Sequence, residues 1–424
     1  MGLDIVSLLA LILAIVLGFV RKSNVGIICM GFAMVLGILY GVKTNDIIKG
    51  FSSSLCLPMI GITYLFAIIN GNGTLTITAN KVVGLVGERH YLVPAVMFLI
   101  GYVLCAVGPG AIPMLAIMPV LAVPAGRSAG INPIMTAIIA QCGVMAARMS
   151  PITPEAAVVR QLMENQGMVG NTVPIIGALL ITNIGISLAA FFYYKGWRVD
   201  AKARHQLSEV IPKMNRQQMI SLLSLCVLLV GVLFFHWNAG LAGFLVGSFL
   251  ILLGAGNEKS SVKAVPWNVI LMVLGVGILM HILTLSGGIN LLIAGLASVM
   301  TSGTACSIMA VSAGVLSFFS SGLGVVFPTL VPTVTGIAQS VGGVDPVALV
   351  SMVVIGGTVT GLSPVSTTGA LIMAAVSQEE AETSEVGTVK FDQNRIFIEL
   401  FGAAFAALGI LAVLAALGVY EMFI

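Results

Sequence analysis

The sequence predicts an all-α polytopic membrane protein made of two inverted repeats, each with five spans plus a re-entrant hairpin, and with two broken helices. Composition is the first observation. Of the 424 residues, 58% are hydrophobic and 8% are charged, and the mean hydropathy is +1.10, whereas a soluble domain carries roughly 25% charged residues. The second observation is a series of apolar runs about as long as a bilayer is thick. The third is that the same proline-containing interruption of an apolar run occurs twice.

The apolar runs predict the helices. Two neighbouring pairs of runs are joined only by "GPG" and "SG", and each run in them is short, so we predict re-entrant hairpins at about 91–125 and about 304–340. Ten spans then remain. The runs lie at 4–20, 24–42, 52–71, 91–107, 110–125, 131–148, 171–194, 218–236, 238–254, 268–285, 304–320, 323–340, 344–361 and 396–420.

Basic residues predict the orientation. The connection 195–217 holds six Lys or Arg residues, and positive loops stay in the cytoplasm. With ten spans, 15 of the 19 basic residues fall on that same side. We therefore expect a multi-pass protein of the cell (inner) membrane, with a cytoplasmic linker at 195–217 and both termini external.

The interruptions define the repeat. The segment "INPIMTAIIAQCGVMAARMSPITP" aligns with "VDPVALVSMVVIGGTVTGLSPVST" at a constant offset of 213 residues. Repeats of five spans place the second copy upside down, an arrangement typical of secondary transporters with a site at the repeat interface. The predicted units are 1–194 and 218–424, with broken spans at about 131–166 and about 344–376.

The broken helices indicate a binding site. Proline removes helix donors, and irregular backbone at membrane depth is tolerated where it lines a cavity or is buried in protein. Freed carbonyls and hydroxyls suit a small cation, and the helix that resumes suits a carboxylate. The alternative is that Ser-Pro kinks only shape helix packing. The predicted substrate-binding residues are Gly108, Pro109, Gly110, Ser150, Thr153, Ser321, Gly322, Ser363, Ser366, Thr367 and Thr368. The predicted sodium positions lie near Gly108, Gly143, Thr153, Gly322, Gly356 and Ser366.

Arg148 is the charged residue that stands out within a span, where a buried arginine costs at least about 2.5–3.5 kcal/mol. One interpretation is a charge partner for a substrate carboxylate, and the other is a structural pair with Glu155 or a carbonyl. Glu155 itself is expected near the membrane edge, past the break. No carboxylate is therefore expected centrally in the broken spans, which favours sodium over protons as the coupling ion.

Other classes of protein are disfavoured. The five aspartates lie at span ends or in loops, there is no H-E-x-x-H sequence, and no cysteine pair has metal-site spacing. We expect no enzyme, no cofactor and no nucleic-acid partner. A channel would need a ring-forming filter, and the sequence contains none.

The N-terminal half, from "MGLDIVSLLALILAIVLGFV" through "SPITPEAAVV", resembles the MatC-type dicarboxylate (malonate) carriers. The architecture resembles the ion transporter superfamily that includes the divalent anion:sodium symporters. In those symporters Ser-Asn-Thr tips and Thr/Pro-rich turns bind sodium and dicarboxylate. The turns carry over at "SPITP" and "SPVST", but the tips differ. Gly108-Pro109-Gly110 replaces the first tip, and Ser320-Ser321-Gly322 or the adjacent Leu323-Gly324 replaces the second.

This resemblance implies a homodimer that imports malonate or four-carbon dicarboxylates with sodium, by alternating access. The alternative is proton-coupled uptake of citrate or another organic anion.

Overall fold

The computed structural model describes residues 2–75, 77–78, 81, 90–108, 110–198, 213–235, 237–364, 366–383 and 393–423. All regular elements in these ranges are helices, which confirms the all-α prediction. Most of the predicted linker 195–217 lies outside the described residues, and so does Pro109.

Apart from two short helices, Thr44–Ile48 and Pro154–Glu164, the helices of the first half follow the predicted apolar runs. They are α1 (Leu3–Arg21), α2 (Val25–Tyr40), α3 (Thr44–Ile48), α4 (Ser53–Gly71), α5 (Val93–Ala106), α6 (Ala111–Ser128), α7 (Pro133–Ala146), α8 (Pro154–Glu164) and α9 (Val173–Tyr193).

The second half repeats this order. Its helices are α10 (Arg216–Leu233), α11 (Ala239–Leu252), α12 (Glu258–Ala264), α13 (Trp267–Leu285), α14 (Gly288–Ala297), α15 (Ala305–Phe319), α16 (Phe327–Leu330), α17 (Val334–Val341), α18 (Pro346–Val359), α19 (Thr367–Thr383) and α20 (Gln393–Ala416). Short 3-10 turns lie at His90–Leu92, Val331–Thr333, Thr360–Leu362 and Val419–Phe423, and a π turn lies at Gly322–Val326.

Six helical segments in the described ranges are long and apolar enough to cross a membrane. The chain is thus a multi-pass membrane protein. Two of the six, Ala111–Ser128 and Gly322–Val341, are arms of the predicted hairpins. Length alone therefore does not distinguish a re-entrant arm from a span, and the hairpins and the count of ten spans stay predictions. The helices α3, α12 and α14 were not predicted, because they are short and lie in connections between apolar runs.

Where the two halves meet, equivalent helices make reciprocal packing contacts. Helix α2 packs against α13, and α4 packs against α11. A Cβ added at Gly275 would lie 2.1 Å from the Gly26 carbonyl oxygen, and one added at Gly61 would lie 2.0 Å from that of Gly240. Gly26 and Gly240 are 214 positions apart in the sequence, as are Gly61 and Gly275. The two contacts are thus counterparts, and both require glycine because the helix backbones touch.

Substitution of Gly26 by Ala is expected to lower the melting temperature and the yield of folded protein. The new Cβ would lie 2.3 Å from the Leu271 carbonyl oxygen, and overpacking of this kind costs about 1–3 kcal/mol. Gly31→Ala on the same helix is the matched control, because nothing lies within 4 Å of its added Cβ. Thermal unfolding of the purified variants in detergent measures the difference, and equal melting temperatures would contradict the proposed backbone contact.

Candidate functional site

The first helix break lies between α7 and α8, and one hydroxyl makes hydrogen bonds to the backbone on both sides of it. The Thr153 Oγ1 lies 2.8 Å from the carbonyl oxygens of both Arg148 and Ser150, and it accepts a bond from the Ala156 N–H at 3.2 Å. Thr153 therefore caps the helix that resumes at Pro154. Ser150 in turn donates to the Ala106 carbonyl at the end of α5, at 2.7 Å. This bond connects the break to α5 and α6, which together are called the first helix pair.

The second break, between α18 and α19, is built in the same way. The Ser366 hydroxyl donates to the Gly361 carbonyl and lies 2.8 Å from the Ser363 carbonyl oxygen. Gly361 and Ser363 are the residues 213 positions after Arg148 and Ser150. The equivalence of Thr153 and Ser366, predicted from the sequence offset, thus extends to the hydrogen bonds that each side chain makes. Ligand binding by either hydroxyl stays a prediction.

Glu155 makes contacts that the sequence did not predict. It is 0% exposed, and its Oε1 accepts bonds from the N–H groups of Ala111 at 2.8 Å and Ile112 at 3.3 Å. The carboxylate therefore caps α6, at the tip of the first helix pair, besides lying in the first turn of α8. Gly110 permits this approach, because a Cβ there would lie 2.0 Å from Oε2. The burial of Glu155 against the start of α6 was not expected from the sequence, whereas its depth in the membrane stays a prediction.

A cavity of about 120 Å³, lined by apolar side chains together with several hydroxyls and Arg148, lies on the side of the second break. Its volume suits a small ion or molecule, because pockets for drug-sized ligands measure roughly 300–1,000 Å³. It is lined mainly by residues from α6, from both breaks and from the second helix pair, which consists of α15 and the segment Gly322–Val341. They are Ile112, Leu115, Met145, Arg148, Val269, Ser317, Ser320, Ser321, Gly322, Leu323, Gly357, Thr358, Gly361, Ser366 and Thr368.

Arg148 belongs to the first repeat but reaches the second. It is 6% exposed, its Nη1 donates to the Thr358 Oγ1 at 3.2 Å, and its guanidinium carbon lies 5.2 Å from the centroid of the Phe327 ring. The Thr358 hydroxyl donates onward to the Val354 carbonyl, so it is free to accept from the arginine. The Arg148 Nε has no hydrogen-bond partner in the described part of the chain. No ion pair with Glu155 is found among the described residues. The arginine thus keeps donor capacity for a ligand in the cavity.

The predicted site residues separate into two groups. Five of them meet at the cavity, and these are Arg148, Ser321, Gly322, Ser366 and Thr368. A second group, Gly108, Gly110, Ser150 and Thr153, lies at the tip and break of the first repeat and does not line the cavity. Ser363 is fully buried, and the side chain of Thr367 lies outside the described residues.

Two lining hydroxyls, Ser317 and Thr358, were not among the predicted site residues. Ser317 lies on the last turn of α15, before the predicted tip segment Ser320-Ser321-Gly322, and its hydroxyl donates to the Gly357 carbonyl at 2.8 Å. Its position three residues before Ser320 was the available signal, because this spacing corresponds to about one helical turn. Thr358 carried no such signal, since its role depends on an arginine 210 positions earlier in the chain.

Gly143 and Gly356 serve the packing of the helix pairs. An added Cβ would lie 2.0 Å from the Phe98 carbonyl oxygen at Gly143, and 2.3 Å from that of Ala310 at Gly356. Each glycine thus lets its broken helix touch the first arm of the neighbouring pair. Their proposed proximity to sodium stays a prediction.

The donor atoms of the cavity restrict what it can hold. No group of three or more His, Cys, Asp or Glu residues with the geometry of a metal site occurs in the described ranges. Hydroxyl and carbonyl oxygens remain, which are ligands for hard cations. A larger cavity of about 480 Å³ lies between α9 and α20, but its lining is mainly apolar and includes none of the predicted site residues.

A small cavity beside two broken helices, in a multi-pass helical protein, is an arrangement typical of secondary transporters. Residues 1–148 match the family model for the dicarboxylate carrier protein MatC N-terminus, which confirms the resemblance for that stretch. A search of curated proteins gave no match.

Two solved transporter structures are similar over most of their length. The YdaH transporter of Alcanivorax borkumensis, described as having an unusual topology, has a TM-score of 0.58 at 13% identity, covering 90% of this chain and 89% of that one. MtrF of Neisseria gonorrhoeae, from a class of antimetabolite efflux pumps, has a TM-score of 0.57 at 14% identity, covering 90% and 84%. At these identities the similarity concerns the fold. The matched family and structures are carriers and transporters, not enzymes.

Proposed function

We propose that the protein is a secondary active transporter that imports small dicarboxylates, either malonate or four-carbon dicarboxylates, together with sodium and by alternating access. The observation that carries this proposal is the buried Arg148, which lines a small cavity rich in hydroxyls and whose Nε has no hydrogen-bond partner among the described residues. The match of residues 1–148 to a dicarboxylate carrier family supports the choice of substrate class.

The charge of the cavity suits an anion. Arg148 is its cationic residue, and the remaining polar groups are neutral hydroxyls and backbone. Buried arginines within membrane proteins pair with other groups and mark substrate pathways. Charge-assisted bonds between a guanidinium and a carboxylate are also among the strongest hydrogen bonds available to a protein. One substrate carboxylate at Arg148 would complete the arginine's bonding.

Sodium is the proposed coupling ion. Moving two negative charges inward against a potential of 100 mV costs about 4.6 kcal/mol, from about 2.3 kcal/mol for each charge. Co-transported cations offset this cost. The hydroxyl and carbonyl oxygens at both breaks are suitable ligands for them, and we propose that at least two sodium ions accompany each substrate.

A second candidate is proton-coupled uptake of citrate or another organic anion. The buried Glu155 favours it, because its Oε2 has no hydrogen-bond partner in the part of the chain that the structure describes, and a carboxylate with such an oxygen can carry a proton. The two functions make opposite predictions about the ion required.

Uptake into proteoliposomes distinguishes them. With labelled malonate or succinate and an inward sodium gradient, we expect accumulation with a sigmoidal dependence on sodium concentration. Full uptake in sodium-free buffer driven by a pH gradient would reject sodium coupling and support the second candidate. Absence of uptake of every dicarboxylate under both gradients would reject the proposed substrate class.

We also propose a homodimer in the inner membrane, with residues 195–217 cytoplasmic and both termini external. In a background without native cysteines, Lys213→Cys should react with an impermeant thiol reagent only from the inside of the cell, and Met422→Cys only from the outside. Both positions are exposed. Labelling of both from outside intact cells would contradict the ten-span topology.

A further inference from the structure

The first repeat has a carboxyl group of its own at its helix tip. The Glu155 carboxylate receives two N–H bonds from the start of α6, and it also lies in the first turn of α8. Two helix N-termini thus meet at one carboxylate, and both carry partial positive charge. With Glu155 in place, no further anion can take this position.

The second repeat lacks that anion. Helix α8 begins at Pro154 and α19 begins at Thr367, so Glu155 and Thr368 are both the second residue of their helices and lie 213 positions apart. Thr368 is 3% exposed and lines the cavity. At the equivalent position, the second repeat therefore has a short neutral side chain and an adjoining space.

The second helix pair also presents a helix start to this space. Its return arm begins with the π turn Gly322–Val326 and continues through further helical turns to Val341, and Ser321 caps its start by accepting a bond from the Gly324 N–H at 3.1 Å. Gly322 and Leu323 line the cavity. The first N–H groups of a helix have no partner within the helix, so they are available to an anion.

Arg148 provides evidence for a ligand at this place that is independent of the helix start. It is more than nine-tenths buried, it lines this cavity, and its Nε has no partner in the described residues. Its Nη1 lies 3.7 Å from where a Cβ of Gly322 would be, so the guanidinium faces the same helix start. The equivalent residue of the second repeat is Gly361, so the two repeats differ in charge at both positions.

We propose that Glu155 is a built-in carboxylate that permanently fills the anion position of the first repeat, and that the equivalent position beside Thr368 receives one carboxylate of the substrate. This inference rests on the proposed dicarboxylate transport. It makes the site asymmetric, because one half supplies its own anion and the other takes it from the substrate. It also assigns Glu155 a charge that stays in place throughout the cycle.

A carboxylate placed at position 368 is expected to block the substrate. In Thr368→Glu the new side chain should occupy the space between Gly322 and Arg148, as Glu155 does at the first tip. Thr368→Gln is the matched control, equal in size but uncharged. We expect binding of malonate and succinate, measured by calorimetry on the purified protein in sodium buffer, to be weaker in the Glu variant than in the Gln variant by at least about tenfold, the equivalent of about 1.4 kcal/mol.

The outcomes separate the two proposals. Equal affinity of the Glu and Gln variants, or an unchanged affinity of Thr368→Glu, overturns the inference while leaving dicarboxylate transport intact. If the parent protein binds no dicarboxylate, the proposed function fails and the substrate position beside Thr368 fails with it, while the second experiment still decides the role of Glu155.

The second experiment tests the built-in anion without any substrate. Glu155→Ala should lower the melting temperature, and acetate should raise it again by filling the vacated position. Acetamide, of nearly the same shape but neutral, should not. A melting temperature of Glu155→Ala that responds equally to acetate and acetamide, or to neither, would overturn the role of Glu155 as a fixed anion.

Discussion

Replacement of Arg148 by Met is expected to abolish dicarboxylate binding, with a loss of at least about a hundredfold in affinity. Removing one partner of a buried charge pair costs about 3–5 kcal/mol, and about 2.7 kcal/mol already corresponds to a hundredfold. The side chain is 6% exposed and lines the cavity, so no solvent ion replaces it. Methionine preserves much of the volume and the contact with Phe327, which leaves the charge as the main change.

Arg160→Met is the control for this experiment, because Arg160 lies in the same broken span but its Nη2 donates to the Pro151 carbonyl in an exposed bond. Affinity and melting temperature are both measured. If Arg148→Met binds malonate and succinate as the parent does, the arginine is structural and the substrate carboxylate binds elsewhere. Arg148→Lys should give an intermediate loss, since a lysine offers a point charge without the planar fork.

Substitution of Gly110 by Ala is expected to be nearly as severe, acting on folding and transport together. The residue has φ of +75°, which is strained for any side chain, and the new Cβ would lie 2.0 Å from the Glu155 Oε2. Strain of this type costs about 1–3 kcal/mol, and the clash adds about 1–3 kcal/mol. Thermal unfolding and uptake rates in proteoliposomes measure the two effects.

Two further variants separate strain from clash. Gly342 has φ of +72° and ψ of 148°, in the same glycine-specific region as Gly110 with ψ of −173°, and nothing lies within 4 Å of its added Cβ, so Gly342→Ala shows the cost of strain alone. The double variant Gly110→Ala, Glu155→Asp shortens the carboxylate and should recover part of the stability lost. Melting temperatures that are equal for Gly110→Ala and Gly342→Ala, with no recovery in the double variant, would show that the glycine does not serve the glutamate.

The features that were predictable from the sequence are local ones. The offset of 213 residues between "SPITP" and "SPVST" predicted that Thr153 and Ser366 are equivalent, and each bonds carbonyls within five residues of itself. Helix positions were also predictable, because apolar runs of this length have few alternatives in a bilayer. Short helices such as Gly288–Ala297 were not predicted, because they lie between such runs.

The features that were not predictable depend on contacts between segments that are far apart in the sequence. Sequence spacing placed Glu155 past the break, but its contacts are with Ala111 and Ile112, 44 and 43 positions away. Arg148 was assigned to the first repeat, whereas its hydrogen bond crosses to Thr358. No periodic pattern in the sequence indicates such contacts, since they form where the two helix pairs and the two breaks meet in the fold.

The glycine contacts between the halves set an order of assembly during synthesis. Gly26 meets a partner made 249 residues later, and Gly61 meets one made 179 residues later. A ribosome adds roughly 5–20 residues each second, so α2 and α4 wait on the order of 10–50 s before their partners emerge. The helices Val93–Ala106 and Pro133–Ala146, by contrast, find each other within one short stretch of chain. Newly made chains should therefore pass through a stage in which the first broken helix is in place while the glycine faces of α2 and α4 still contact lipid, the point at which a membrane chaperone or protease would recognise an incomplete chain.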